Sequence, residues 1–334
     1  MHIGYTHDFR NATGRPWKAV WEDALSLMCE AACLGFDYVL VQEHFFTADG
    51  YGPAPAIFMT ALIERTNDVR IGTNSYVLPL HHPAALAQEI AVLDHMSGGR
   101  LDVTVSLGHR AEEFAAFGFT SRQRLSRFEE GFVILKMALT GDPVTYSGRH
   151  YNLTEVLVRP MPYQQPYPPL WVGATTPKGA ARAGRCGAHL RGASVDPEFF
   201  GAYFEGLGQS GVSPESRRIS KAISFTATYE DPDRVWARNR ECYQRRWGFY
   251  QEIRSAIGDP PLSVGLGIPE TDTFRHHDLI GSPQAILDTL AESVKDTPVT
   301  DIIYSGPASG IPLAEARESL QLFAAEVMPA LRSW

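Results

Sequence analysis

The sequence lacks the patterns that mark several large classes of protein. It has no apolar run of about 18 residues, so no membrane-spanning helix is predicted, and it has no run of Lys and Arg. The formal net charge of −8 argues against nonspecific binding to nucleic acid. The four cysteines form no Cys-x-x-Cys pair, and the first residues have neither the basic nor the apolar region of a signal peptide. We therefore expect a soluble cytoplasmic protein that binds neither nucleic acid nor membranes.

Several catalytic motifs are also missing. The absence of Gly-x-Ser-x-Gly disfavours acyl transfer by a nucleophilic serine. His-Glu-x-x-His is absent, and we expect no catalytic metal. No Gly-x-Gly-x-x-Gly follows the first predicted strand, so no nicotinamide-binding domain is predicted.

What the sequence contains is a regular alternation of short apolar strands and amphipathic helices. Strands are predicted at about 2–6, 37–42, 69–76, 101–107, 170–173, 188–193, 218–228 and 299–304. Eight such units predict an α/β protein, a (β/α)8 TIM barrel, as a single domain over residues 1–334. An open doubly wound sheet is the alternative. Two insertions interrupt the alternation: a hairpin near 143–158 and a Gly- and Pro-rich lid loop near 258–281.

Polar residues follow the predicted strands. Glu43 and His44 end the apolar run of the second strand. In a barrel the carboxyl ends of the strands surround the active site, and a histidine there suits general acid–base catalysis near neutral pH. We therefore predict catalytic roles for His44 and Glu43, with His44 transferring protons and Glu43 supporting it. The alternative is a pair of loop residues that caps a helix or forms a salt bridge.

Other strand ends supply further candidate residues. Ala174, Thr175 and Thr176 join the fifth strand to a helix, and the helix N-terminus and the two hydroxyls suit a phosphate; simple capping by Thr is the alternative. Substrate contacts are predicted from polar and aromatic residues at strand ends and in the lid, although the aromatic ones would serve equally in the core. The predicted substrate-contacting residues are Thr6, His7, Phe46, Tyr76, His276 and Tyr304.

Short segments, in this order and spacing, resemble the bacterial luciferase-like flavin-dependent oxidoreductases over nearly the whole chain. The matching segments are 35–37 with 43–45, 71–79, 82–83 with 93–100, 110–114 with 117–118, 160–172, 281–283 and 327–329. The resemblance implies a (β/α)8 barrel that binds reduced FMN, or in relatives the deazaflavin F420, at the carboxyl ends of the strands. It places Asn74-Ser75 where such proteins often have a non-prolyl cis peptide beside the flavin ring. Its implied cofactor-binding residues are Asn74, Ser75, Ser106, Gly108, His109, Arg110, Ala174, Thr175 and Thr176.

The resemblance also implies a reaction. A separate flavin reductase supplies reduced FMN, O2 reacts with it to give a C4a-(hydro)peroxyflavin, and a small substrate is oxygenated, either by hydroxylation or by attack on an aldehyde or ketone. The substrate is expected to be apolar, aromatic or carbonyl-containing. Two alternatives stay open: an F420-dependent oxidoreductase that transfers hydride without O2, and a non-catalytic flavin-binding or partner subunit. A homodimer built on the second and third helices is also expected.

Overall fold

The computed structural model describes residues 1–192, 196–256 and 278–334, apart from the side chains of 253–256. The strands are β1 (His2–Thr6), β2 (Tyr38–Val41), β3 (Arg70–Thr73), β4 (Tyr76–Val77), β5 (Leu101–Ser106), β6 (Val144–Ser147), β7 (Asn152–Val156), β8 (Leu170–Ala174), β9 (His189–Gly192), β10 (Ile219–Ala227), β11 (Leu279–Gly281) and β12 (Asp301–Ser305). The helices are α1 (Trp17–Cys33), α2 (Pro55–Ile63), α3 (Pro83–Met96), α4 (Ala111–Ala116), α5 (Arg124–Leu139), α6 (Pro177–Arg185), α7 (Pro197–Ser210), α8 (Pro232–Ala256), α9 (Pro283–Val294), α10 (Leu313–Leu322) and α11 (Met328–Arg332).

Eight parallel strands close into a barrel, and the prediction of a TIM barrel is confirmed. Their order is β1, β2, β3, β5, β8, β9, β10 and β12, and β12 pairs again with β1. The pairing of β9 with β10 completes the closure, which leaves no open edge of the kind that a doubly wound sheet has. The third predicted strand, 69–76, is split: β3 ends before the cis peptide between Asn74 and Ser75, and β4 continues the pairing with β5.

Side chains alternate between the interior of the barrel and the surrounding helices, as the two-residue period of a strand requires. Tyr38 and Leu40 of β2 meet Ile303 of β12 inside the barrel. Their neighbours Val39 and Ile302 face outward and join the large core between strands and helices. This alternation decides which residues at the strand ends can reach the mouth.

Of the two predicted insertions, the hairpin lies within the described residues and most of the lid loop does not. The hairpin is confirmed, because β6 and β7 pair antiparallel and the Gly148 N–H donates to the Tyr151 carbonyl at 2.9 Å. Most of the predicted lid, 258–277, lies outside the described residues. The end of the predicted loop is corrected: Leu279–Gly281 form β11, which extends the sheet by pairing parallel with β10.

The segment 93–100, which carries part of the family resemblance, works at the opposite end of the barrel from the mouth. The Asp94 carboxylate accepts hydrogen bonds from the backbone N–H and the side-chain amide of Gln164, both at 2.7 Å. The Arg100 Nη1 donates to the Val69 carbonyl at 2.9 Å. These bonds anchor the amino ends of neighbouring strands, so this segment serves the fold. Within the described part of the chain, no helix is long and apolar enough to cross a membrane.

Candidate active site at the mouth of the barrel

His44 lies at the carboxyl end of β2 in an aromatic pocket. It is 8% exposed, and its ring stacks on Tyr51 with the ring centroids 4.4 Å apart. The edge of Phe249 from α8 meets the His44 ring at 5.6 Å, and His109 lies 5.7 Å away. The backbone N–H of His44 donates to the Gly52 carbonyl at 3.1 Å, so the loop after β2 folds back over the strand. The imidazole is thus held in a largely dry, shaped pocket.

The carboxylate nearest to His44 comes from Glu113 in α4. Its Oε1 lies 3.5 Å from His44 Nδ1, which itself has no hydrogen-bond partner among the described residues. The same oxygen accepts from the Phe45 N–H at 2.9 Å and from Arg110 Nη1 at 3.0 Å. Burial acts to raise the pKa of Glu113, but His44, the Phe45 N–H and Arg110 outweigh it and lower the pKa below its ordinary value. Glu113 is therefore ionised near neutral pH and oriented toward His44.

Glu43 faces away from His44 and organises the neighbouring loop. Its Oε2 accepts from the Val77 N–H at 2.7 Å, and both of its oxygens lie 2.9 Å from His81 Nε2. Burial acts to lower the pKa of His81, but the hydrogen bond and the charge of Glu43 outweigh burial and raise it. Glu43 thus fixes the backbone just after the cis peptide, while contact with the His44 ring falls to Glu113.

His109 completes the group of imidazoles at the mouth. Burial, together with the nearby charges of His44 and Arg110, lowers the pKa of His109 to about 4. Its Nε2 is buried and has no hydrogen-bond partner in the described part of the chain. The preceding Gly108 has φ +73°, and a Cβ there would lie 2.4 Å from Val77 Cγ1, so only glycine fits this turn. His109 is therefore a neutral imidazole with an unused polar atom at the site.

One wall of the mouth is made of small side chains from three neighbouring strands. A Cβ built on Gly173 would lie 3.4 Å from Ser106 Cβ and 3.7 Å from Ser75 Oγ. Ser75 follows the cis peptide bond with Asn74, at the position that the family resemblance implies. Glycine and serine leave room for a flat ring and offer hydroxyls and backbone groups to bind it.

The floor of the mouth, on the other side from the wall of small residues, is also polar. Thr6, Ser305 and Ser224 lie in register on adjacent strands. The Gln42 side-chain amide donates to Thr6 Oγ1, which donates in turn to the Leu40 carbonyl at 2.9 Å. The Gln42 Oε1 is buried without a partner among the described residues, so it is available to a donor on a bound molecule.

The last turns of α8 cover this site, supported by a buried ionic network. The Arg10 guanidinium carbon lies 3.9 Å from the centroid of the Tyr51 ring and 4.2 Å from that of Phe249. Asp8 pairs with Arg10 at 3.0 Å and with Arg246 of α8 at 3.5 Å, and Arg246 also pairs with Asp278 at 3.1 Å. This network ties α8 to the loop after β1.

The predicted phosphate site lies at the N-terminus of α6. Thr176 caps the helix, and its Oγ1 accepts from the Gly179 N–H at 3.2 Å. The side chains of Thr175 and Thr176 are exposed, and Ala174 ends β8 next to the wall residue Gly173. Thr176 therefore forms the helix cap that was the alternative. The exposed Thr175 and Thr176 hydroxyls and the N–H groups at the start of α6 are still compatible with a bound phosphate.

Two predicted substrate residues point away from the mouth, and these two expectations are corrected. Tyr76 turns outward to Glu89 of α3, with its hydroxyl 2.7 Å from the carboxylate. Tyr304 packs outward against Phe225, with ring centroids 4.0 Å apart. Phe46 is 67% exposed, with its ring centroid 5.9 Å from that of Phe117, and its contact with substrate stays a prediction.

The remaining predicted substrate residues are Thr6, His7 and His276. Thr6 is in the floor. His7 lines a separate cavity of about 250 Å³ between the loop after β1 and residues 308–312, and burial lowers its pKa to about 4. His276 lies outside the described residues.

In the described part of the chain, the predicted site residues belong neither to a metal site nor to a cavity on the outer surface of the barrel, and His7 lines the separate cavity beside residues 308–312. In the described ranges, no group of three or more His, Cys, Asp and Glu side chains is arranged to hold a metal ion. A cavity of about 680 Å³ lies on the outer surface between α5 and α6, and none of the predicted site residues lines it.

Sequence reasoning missed Glu113, Arg10 and Phe249 as parts of the site. Glu113 lies in α4, a helix that was not predicted because its six residues are too short for a clear helical period. Arg10 and Phe249 come from a loop and from the far end of α8, which no local pattern connects with His44. The signal available for Glu113 was the pair of adjacent glutamates at 112–113, close after Arg110, because acidic residues are favoured in a first helical turn.

A closed (β/α)8 barrel with polar side chains at the carboxyl ends of its strands is the architecture of a large class of barrel enzymes. The chain belongs to the luciferase-like monooxygenase family, whose model matches residues 1–301. This is a family of flavin-dependent oxidoreductases that contains both FMN monooxygenases and F420-dependent enzymes. The resemblance predicted from the sequence is thereby confirmed.

Individual relatives fall on both sides of that division. The chain is 24% identical to the oxygenase component of flavin-dependent trigonelline monooxygenase from Acinetobacter baylyi, over 98% of this chain and 94% of that protein. It is 26% identical to an F420-dependent glucose-6-phosphate dehydrogenase from Kineococcus radiotolerans, over 89% of each. Among solved structures, monooxygenase RslO1 from Streptomyces bottropensis has a TM-score of 0.83 at 24% identity, over 99% of this chain and 100% of that one. The last similarity shows the fold.

The residues at the mouth fit a flavin. The space that a Cβ on Gly173 would fill borders Ser75 and Ser106, which suits an approaching flat ring. The buried polar atoms without partners, Gln42 Oε1 and His109 Nε2, suit a ligand rich in donors and acceptors. The N-terminus of α6 suits its phosphate.

Proposed function

We propose that the protein is a flavin-dependent monooxygenase that uses reduced FMN, supplied by a separate reductase, and O2. In the balanced reaction, reduced FMN, O2 and the substrate give oxidised FMN, an oxygenated product and water. The observation that carries this proposal is the enclosure of His44 between Tyr51 and Phe249, beside the wall of Ser75, Ser106 and Gly173. Oxygenation needs a site from which water is excluded, and this enclosure provides one.

The residues would divide the work between binding and proton transfer. Asn74, Ser75, Ser106 and Gly173 would hold the ring of the flavin, which supplies the electrons that activate O2. His44 would hold or release the proton, with Glu113 orienting its Nδ1 side. Glu43 would act through the loop that it fixes.

The rest of the predicted cofactor site would bind the ribityl and phosphate groups. Gly108, His109 and Arg110 lie in the loop after β5; Ala174 ends β8, and Thr175 and Thr176 follow it. Arg110 is engaged by Glu113 and by the Phe45 carbonyl, at 2.6 Å from the latter, so it would contribute mainly by positioning. The phosphate would then rest chiefly on the N–H groups and hydroxyls at the start of α6.

The substrate would be small and apolar, aromatic or carbonyl-containing. Tyr51 and Phe249 offer aromatic surface beside His44, and Thr6 and Gln42 offer polar contacts in the floor. For the assembly, we propose a cytoplasmic homodimer. Ile57 of α2 and Val92 and Met96 of α3 are exposed apolar side chains that such an interface would cover.

The competing functions are an F420-dependent oxidoreductase and a non-catalytic flavin-binding subunit. Purified protein would be mixed anaerobically with reduced FMN or with reduced F420, then exposed to ¹⁸O2 with a panel of aromatic and carbonyl compounds. Oxygen uptake that yields an ¹⁸O-labelled product with reduced FMN alone is the expected result. Hydride transfer from reduced F420 without O2 uptake, or flavin binding without turnover of any compound in the panel, would overturn the proposal.

A further inference from the structure

Arg191 is a buried cation inside the barrel that the proposed function does not use. It lies on β9 and is 4% exposed. Its Nε donates to Thr104 Oγ1 at 2.9 Å, and its guanidinium carbon lies 4.3 Å from the centroid of the Trp171 ring. Its two terminal nitrogens, Nη1 and Nη2, are buried and have no hydrogen-bond partner among the described residues.

The charge of Arg191 is not balanced by a carboxylate in the described part of the chain. Two other arginines lie at inward-facing positions near the amino ends of their strands, and each has its own partner: Arg70 pairs with Asp102 at 2.9 Å, and Arg218 pairs with Asp301. Of these two, Arg218 lies over the same Trp171 ring as Arg191. Three arginines therefore face two aspartates, and one positive charge is left over. A buried cation is costly unless an anion compensates for it. An anionic group bound near Arg191 would therefore be stabilised by this charge.

The strand register and the hydrogen bond to Thr104 together place the Arg191 guanidinium below the wall of small side chains at the mouth. Arg191 is in register with Gly173 of β8, the wall residue that borders Ser75 and Ser106. Its hydrogen-bond partner Thr104 precedes Ser106 by two residues on β5, and both face the interior. Two residues along a strand rise about 6 to 7 Å. The guanidinium thus lies about one layer of side chains below the wall that would hold the flavin ring.

We propose that Arg191 selects the reduced, anionic form of the flavin over the oxidised form. This inference rests on the proposed function. The oxidised ring is neutral, whereas a ring that has taken up two electrons and one proton carries a negative charge. A fixed cation below the ring in a low-dielectric interior would favour the anion, since charge near the ring tunes the chemistry of a bound flavin. An oxygenase that receives its flavin already reduced benefits from this selection, because oxidised FMN then leaves.

The test compares dissociation constants of reduced and oxidised FMN, measured anaerobically by fluorescence and calorimetry, with dithionite as the reductant. The wild type is expected to bind reduced FMN more tightly. In Arg191→Gln the ratio of the two constants should shrink about tenfold, the size of effect that a charge at this distance exerts. Arg191→Lys keeps the charge but not the planar group, and it should keep the ratio within about twofold.

The controls separate charge from structure. Arg185→Met removes an exposed cation from the end of α6 and should leave the ratio unchanged. If Arg191 served only to bond Thr104, the Gln and Lys variants would shift the ratio alike, and that result overturns the proposal, as does an unchanged ratio in Arg191→Gln. If Arg191→Gln fails to fold, loss of the preference in Arg191→Lys overturns it. A wild type that binds neither form overturns the proposed function, and the assignment of Arg191 with it.

Discussion

His44 is the residue on which the proposed chemistry depends most directly. The sequence predicts that Glu43 supports His44. In the structure Glu43 holds the loop after the cis peptide, and the carboxylate beside the imidazole is that of Glu113. In the proposed mechanism, a histidine enclosed by Tyr51 and Phe249 would exchange protons with a bound molecule rather than with bulk water. This division makes the roles of the three side chains experimentally distinguishable.

We predict that His44→Ala lowers turnover at least tenfold and leaves binding of reduced FMN nearly unchanged. Loss of a positioned acid or base typically costs about 10²–10⁴ in rate, whereas the wall formed by Ser75, Ser106 and Gly173 is untouched. Turnover would be measured as product formed per reduced FMN in single-turnover mixing. Glu113→Gln, which keeps the shape but not the charge, should reduce turnover less than His44→Ala does. Unchanged turnover in His44→Ala would remove His44 from the mechanism.

Helix α8 covers the site and, in the proposed mechanism, would limit the access of water to it. Its long helical segment carries Arg246 into the ionic network with Asp8 and Asp278, and it carries Phe249 over His44. Tyr250 adds a hydrogen bond of 2.6 Å between its hydroxyl and that of Tyr51. The element is therefore fixed by polar contacts and presents an aromatic face to the reaction site.

We predict that Phe249→Ala uncouples the reaction several-fold. Water then reaches the reduced flavin, and O2 is reduced to H2O2 with oxidation of the flavin, in place of oxygenation. The measurement is the yield of H2O2 per reduced FMN consumed, which should rise while the yield of product falls. Tyr229→Ala removes an exposed aromatic residue that precedes α8 and should change neither yield. Equal H2O2 yields in the wild type and in Phe249→Ala would show that α8 does not seal the site.

The sequence predicts a helix or strand correctly where the hydrophobic period extends over many residues. It fails where contacts with distant parts of the chain determine the structure. The eight barrel strands and the hairpin were foreseen, because alternating apolar strands and helices leave few architectures. The six-residue helix α4 was missed, and with it Glu113. Tyr76 and Tyr304 lie at strand ends, which predicts a place at the mouth, but successive residues of a strand point to opposite sides and both side chains face outward. Contacts such as that of Phe249 with His44 join distant parts of the chain and leave no local trace.

At the scale of the whole molecule, buried neutral histidines link stability to pH. Burial is the main cause that lowers the pKa of His7, His109 and His189, each to about 4. Unfolded, each of these histidines titrates near its ordinary pKa of about 6.5. Between pH 6.5 and pH 4 the unfolded chain therefore binds more protons than the folded one at these three positions, and stability falls as the pH falls.

We predict that this contribution to the free energy of unfolding is fully present above about pH 6.5 and is lost progressively as the pH falls toward 4. Each such histidine adds about 1.4 kcal/mol per pH unit to the slope, less where solvent screens the partly exposed His109 and His189. Urea unfolding at pH 7, 6 and 5 measures the slope. His7→Gln removes one of the three sites and should flatten the slope, whereas replacement of the exposed His2 by Gln should not. The same slope in wild type and His7→Gln would mean that other groups, such as the ionised Glu113, dominate the acid sensitivity, since a carboxylate with a lowered pKa also stabilises the fold less as the pH falls.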